Sequence, residues 1–218
     1  MIPKKSELFP GRRFRSLRMA FSCLFAIFLF GVVGQAHADV ARESLEDGAV
    51  GFITEMSNSA IALMGDKQLS VGSRKTRFRA LLKDHFDLRT IGRWVLGRYW
   101  RTASPGQRNE FLILFEDLMV RTYMDRFGDY NGEHLKIENA VGVGKRDVLV
   151  DSALVSPETR FEPVRIQWRV RAGSGRYRII DVMVAGVSLG QTQRSEFASV
   201  IRESGGKVEG LLARLRQE

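Results

Sequence analysis

The sequence predicts an α+β domain: N-terminal helices packed on a mostly antiparallel sheet of about four strands, followed by a C-terminal helix. Three observations carry this expectation. Apolar residues recur at spacings of three and four from Ala41 to Phe127. Around Asp129-Tyr130-Asn131-Gly132 the period changes to two, and it stays near two as far as Ser188. Beyond Arg194 the helical spacing returns. Helices, then strands, then helix is the order of a segregated α+β fold.

In chain order, Leu45, Ala49, Phe52, Met56, Ala60 and Leu63 form one helical stripe between Ala41 and Met64. Lys67 to Gly72 is a polar break, after which Ser73 is placed to cap a helix burying Phe78, Leu81, Leu82 and Phe86. Asp87 is placed to cap a third helix with Leu88, Ile91, Val95 and Tyr99 inward. Ser104-Pro105-Gly106-Gln107 is a capping box with proline at the first helical position. The helix it opens carries Phe111, Leu114, Phe115, Leu118, Met119 and Phe127. Four strands follow: Leu135 to Val143, Val148 to Val155, Val164 to Arg171 and Tyr177 to Ser188. Gly142-Val143-Gly144-Lys145 and Gly173-Ser174-Gly175 turn the chain between them. Phe197, Val200, Ile201, Leu211, Leu212 and Leu215 mark the closing helix, from Arg194 to the end.

Of 218 residues, 44% are apolar and 27% charged, the balance of a folded domain. The formal charge of +9 points at first to nucleic acid or an anionic surface. Residues 1–38 carry six of the basic side chains and one acid, Glu7, so without them the charge is +4. That segment has a basic start, the 14-residue apolar run Ala20 to Val33, and small residues at Ala36 and Ala38. At about 1.5 Å per residue the run falls short of a bilayer core of roughly 30 Å. We expect residues 1–38 to be a signal peptide cleaved before Asp39, and residues 39–218 to be one exported domain. The only cysteine, Cys23, lies in the leader, so thiol catalysis and cysteine metal sites are excluded for the mature chain.

Several motifs are candidates for chemistry. Gly186-Val187-Ser188-Leu189-Gly190 fits G-x-S-x-G between a strand and a helix, as in a hydrolase nucleophile elbow. No histidine follows Ser188, however, and the alternating βα order of a hydrolase is absent. An exported esterase-like enzyme using Ser188 is therefore the alternative function. His85 and His134 have no metal-type spacing to carboxylates. Asp147 and Asp151 share one side of a strand, which reads as a solvated pair. Arg165, Arg169, Arg171, Arg176 and Arg178 lie on the polar alternation of a hairpin, either as a solvated face or as a surface docking an acidic partner or anionic headgroups. With that second role the protein would be an adaptor that carries nothing. No aromatic residues interleave there to stack bases, so nucleic acid is not expected as a partner.

Two stretches resemble a known family. Phe86-Asp87-Leu88 through Leu96-Gly97-Arg98-Tyr99-Trp100-Arg101, then Ser104 to Phe111 and Arg121-Thr122-Tyr123, are similar to the helical half of the MlaC family. These are periplasmic phospholipid-binding proteins, also described as toluene-tolerance or auxiliary transport proteins. Tyr177 to Val182, Gly186-Val187-Ser188-Leu189 and Arg194-Ser195-Glu196-Phe197 resemble the family's last strand and helix. Gly190-Gln191-Thr192-Gln193 departs from the pattern. A related branch is associated with hopanoids.

The resemblance implies a soluble periplasmic carrier moving phospholipid, or a related lipid, between inner- and outer-membrane complexes of an ABC-type transport system that maintains outer-membrane lipid asymmetry. It implies no catalysis, metal or cofactor, and it accounts for the G-V-S-L turn without chemistry. A sixteen-carbon tail in water costs on the order of 12 kcal/mol, so a carrier needs an apolar cavity between helices and sheet. By alternation and stripe position, the expected lining is Val150, Leu154, Ile166, Trp168, Ile180, Val182 and Val184 from the sheet, with Val95, Leu96, Phe115, Met119 and Tyr123 from the helices.

Overall fold

Short polar side chains start four of the helices. A computed structural model describes residues 21–124, 130–158 and 161–217, with side chains from Arg42 onward. The leader's basic start, the cleavage position's side chains and Phe127 lie outside the described residues. The chain divides into two units, residues 1–42 and 43–218. Helix α1 is Phe21–Gly65, α2 Val71–His85, α3 Leu88–Leu96, α4 Tyr99–Thr102 and α5 Pro105–Met124. Asp87 caps α3, its Oδ1 accepting from the Thr90 N–H at 2.9 Å. At α5 the capping box is reciprocal: Gln107 N–H donates to Ser104 Oγ and Ser104 N–H to Gln107 Oε1. The cap of α2 is Ser70 rather than Ser73. Ser70 is extended while Val71 and Gly72 are already helical, and Ser73 donates its N–H to Ser70 Oγ.

Strands β1 (His134–Val143), β2 (Asp147–Val155), β3 (Val164–Gly173) and β4 (Arg176–Val184) pair antiparallel in sequence order. A fifth, two-residue strand, β5 (Val187–Ser188), was expected as the end of β4. Ala185 and Gly186 both take positive φ, so the chain makes a tight hairpin that pairs Val184 with Val187. Helix α6 (Leu189–Glu203) begins five residues before the expected Arg194 because Ser188 caps it, accepting the Gln191 N–H. Gly205 and Gly206 then break the closing segment, and α7 (Val208–Leu215) ends it.

Two bulges set the faces of the sheet. On β1, Ile137 opposes Ser152 and Asn139 opposes Asp151, leaving Glu138 as the extra residue. On β4, Asp181 opposes Arg169 and Ile179 opposes Val170, leaving Ile180 extra. Alternation is therefore reset between Ile179 and Val182, and both lie on the inner face.

Three apolar clusters build the 43–218 unit. Ala49, Ile53 and Met56 of α1 pack with Val148, Val150, Val170 and Ile179 of the sheet. Val95, Leu96, Phe111, Phe115, Phe197, Ile201, Leu211 and Leu212 join α3, α5, α6 and α7, with Phe197 edge-on to Phe111 at 5.6 Å. Leu63, Phe78, Leu82 and Val120 join α1, α2 and α5. Across the last pair of helices, Arg79 of α2 bridges Glu116 and Asp117 of α5 at 2.7 and 2.6 Å.

Asp147 is not solvated as expected. It is 6% exposed and accepts hydrogen bonds from both Arg169 and Arg171, its nearest contacts lying at 2.7 and 2.8 Å. The Arg171 guanidinium, helped by Arg169 and opposed by burial, holds the carboxyl below the usual carboxylate range. Ionising more readily when folded, Asp147 contributes its full stabilisation above the ordinary carboxylate pKa, and the contribution drains away as pH falls through the folded value. We expect Asp147→Asn to cost about 1–3 kcal/mol near neutral pH. The difference from the native protein should narrow below about pH 4 in paired thermal melts.

Candidate functional site

Between the inner face of the sheet and the helices the apolar clusters leave a hollow of about 320 Å³. Helix α1 supplies Met56 and Ala60, and α2 supplies Phe78, Leu81 and Leu82. Phe86 follows at the end of α2, and α3 adds Leu88, Ile91 and Val95. Phe115, Met119 and Tyr123 come from α5, and Leu189, Gly190 and Gln193 from α6. The sheet side is Ile166 and Trp168 of β3 with Asp181, Val182 and Val184 of β4. This volume is at the lower end of the range of small-molecule sites, and the wall is almost wholly hydrocarbon.

Polar groups at the wall are fixed by the protein. Trp168 Nε1 donates to Ser152 Oγ at 2.9 Å, and Ser152 Oγ donates to the Ile166 carbonyl at 2.9 Å. Ser152 is 1% exposed, so this buried chain of two hydrogen bonds sets the plane of the indole. Asp181 accepts from its neighbour's Val182 N–H, from Ser188 Oγ at 2.8 Å and from the Gly190 N–H. The β4–β5 hairpin and the start of α6 are thereby tied to one carboxylate. A Cβ at Gly190 would fall inside the Trp94 ring, so glycine is what lets α6 start against α3.

Eight of the twelve expected lining residues meet at this hollow: Val95, Phe115, Met119, Tyr123, Ile166, Trp168, Val182 and Val184. Four do not. Val150 shares the face of Trp168 but packs in the α1 cluster with no exposure. Leu96 does not line the hollow and packs in the cluster that joins α3, α5, α6 and α7. Ile180 is the bulge residue, so the alternation that placed it inward is broken there. Leu154 sits towards the end of β2, opposite Val164 and beyond Ser152. The contributions of α1 and α2 were missed as lining, although Met56, Ala60, Phe78, Leu81 and Leu82 all belong to expected stripes. A stripe shows which side is covered, not whether a void lies beneath it. No sequence pattern signals Ser152, and Asp181, though inside the Tyr177 to Val182 stretch of the family resemblance, was not singled out.

The other candidates disperse. Ser188 Oγ is occupied by Asp181 and by the cap of α6. His134 begins β1, four strands away across the sheet, while His85 Nδ1 pairs with the Leu81 carbonyl and its ring packs on Phe52 at 5.4 Å. Among the five hairpin arginines, Arg169 and Arg171 are engaged by Asp147, and Arg178 donates to the Asp84 carbonyl. Arg165 and Arg176 are exposed near opposite ends of the hairpin.

The MlaC protein family matches residues 54–217. The chain belongs to the MlaC family. All the residues lining the hollow fall inside the matched span. Among MlaC-family relatives, the intermembrane phospholipid transport system binding protein MlaC of Haemophilus influenzae is 23% identical over 145 residues, covering 66% of this chain and 67% of that protein. The toluene tolerance protein ttg2D of Pseudomonas putida is 21% identical over 112 residues, about half of each chain at 51%. The phospholipid-binding protein of Ralstonia solanacearum, solved in complex with a phospholipid, shares the fold with a TM-score of 0.66 at 23% identity, over 77% of this chain and 94% of that one.

Replacing Gly190 with alanine should cost about 1–3 kcal/mol through overpacking on Trp94. It is expected to lower the melting temperature and shift the tryptophan emission, since the Trp94 ring must move.

Proposed function

We propose that this MlaC-family chain is a periplasmic carrier that encloses the hydrocarbon of a phospholipid in the hollow between sheet and helices. The observation that carries the reading is the wall itself. Asp181 is already satisfied by three donors, so the hollow offers apolar surface and few free polar groups. Such a wall favours acyl chain over any hydrogen-bonding ligand. Left dry and empty, 320 Å³ of apolar space would cost at most about 8 kcal/mol at ~24 cal/mol per Å³. That is comparable with the whole stability of a domain, so occupancy is favoured. The phospholipid class follows the names of the Haemophilus and Ralstonia relatives.

In this reading the leader is removed before Asp39 and the mature protein ferries lipid between inner- and outer-membrane complexes of an ABC-type system. It performs no reaction itself. The G-V-S-L turn serves as hairpin, helix cap and Asp181 anchor.

Lipid extraction and mass spectrometry of natively purified protein should find phospholipid in stoichiometric amount. Finding none, or finding hopanoid instead, would reject the carrier or its lipid class respectively. Ile166→Trp and Ala60→Phe fill the hollow from its two walls and should each lower bound lipid severalfold with unchanged circular dichroism. Ile113→Trp, at a position 63% exposed on α5, should leave lipid content as it is. Equal lipid in all three variants would remove the hollow from consideration.

A further inference from the structure

The corner where α3 passes into α4 lies beside the C-terminal end of α6, and together they form a shallow concavity of about 510 Å³. Its walls are Arg98, Tyr99, Arg101, Thr102, Arg202 and Gly206, none of which lines the apolar hollow. We propose that this concavity is a second, separate site that binds a phosphate-type oxyanion, carried either on a lipid headgroup or free in solution.

Three arginines from two distant parts of the sequence line it, and no carboxylate is among the lining residues. Among the described residues none of the three arginines takes part in an ion pair. Four arginines elsewhere are neutralised. Arg79, Arg169, Arg171 and Arg216 each meet carboxylates within 3 Å. Like charges gathered without a counter-charge repel, and an anion placed between them removes that penalty.

The site is also partly preorganised. Arg98 donates to Tyr99 Oη at 2.9 Å, and its guanidinium lies 4.9 Å from the centre of the Tyr99 ring. Tyr99 is 8% exposed and belongs to the helical core, so Arg98 stands on a rigid base. Gly206, at positive φ, adds a stretch of wall without a side chain. A tetrahedral phosphate offers more oxygens and more negative charge to several guanidinium forks than a carboxylate does.

The test uses the mature protein with two probes: inorganic phosphate, followed by NMR titration, and vesicles of phosphatidylglycerol mixed with phosphatidylcholine, followed by co-sedimentation. The triple variant Arg98→Gln, Arg101→Gln, Arg202→Gln should lose about tenfold or more in affinity for whichever probe the native protein binds. The double variant Arg101→Gln, Arg202→Gln leaves Arg98 on Tyr99 and guards against a folding defect; it should show most of the loss. Arg77→Gln with Arg146→Gln removes two exposed charges elsewhere and should change affinity by about twofold or less. Binding of vesicles and of phosphate, both lost in the variants, supports the site and assigns it to headgroups. Binding of phosphate alone, lost in the variants, supports the site with a soluble anion. No binding of either probe, unchanged binding in the basin variants, or an equal loss in the control would overturn it. Co-purified lipid reports on the apolar hollow separately and should be the same in all these proteins.

Discussion

A hydrocarbon-lined hollow persists in water only if its walls cannot close on one another. Here the walls are backed by packed material on every side for which the structure gives contacts. The α1 cluster anchors the middle of the sheet, the α3–α5–α6–α7 cluster stands behind α3 and α5, and the smaller α1–α2–α5 cluster stands behind α2. The clusters bury side chains such as Phe111, Phe115, Ile53 and Val120 almost completely. The space left between them is therefore a product of how the clusters are spaced. Relaxing it would require disrupting side chains that are already well packed.

Directional bonds complete what packing begins. Ser152 sets the Trp168 indole, Asp181 joins β4, the β5 hairpin and α6, and Arg79 spans α2 and α5. None of these groups faces a ligand through a free polar atom, yet each fixes a wall. The motif that looked most like chemistry in the sequence, around Ser188, is one of these fixings. A serine at a strand-to-helix junction can be a nucleophile or a cap, and what separates the two is the identity of its neighbours. Here the neighbours are a carboxylate and a helix N–H.

Much of the fold was legible because local rules governed it. The capping box at Ser104, the Asp87 cap, the Gly173–Gly175 hairpin and the change of period near Gly132 all depend on residues close in sequence. Errors arose where that locality failed. The bulge at Ile180 depends on pairing with β3, and it turned a correct alternation into a wrong side assignment. Val150 and Trp168 share a face, and only the placement of α1 makes one core and the other wall. Asp147 and Asp151 look alike by spacing, but Asp147 meets two arginines on β3, while Asp151 meets Gln167. Eight lining residues were found because stripes and alternation mark inward faces. The α1 and α2 walls were not found, because inwardness alone does not separate core from void.

The bulge at Glu138 bears on a different hazard. Among the described residues, strand β1 is an edge of the sheet, ten residues long with no strand on its outer side. An uninterrupted margin of that length is a template on which another polypeptide can add itself and start a growing aggregate. The extra residue, the charged and exposed Glu138, bends the strand midway, and the exposed Lys136 stands two residues before it. Only short stretches on either side remain straight. A border broken in this way gives a passing chain little length on which to zip.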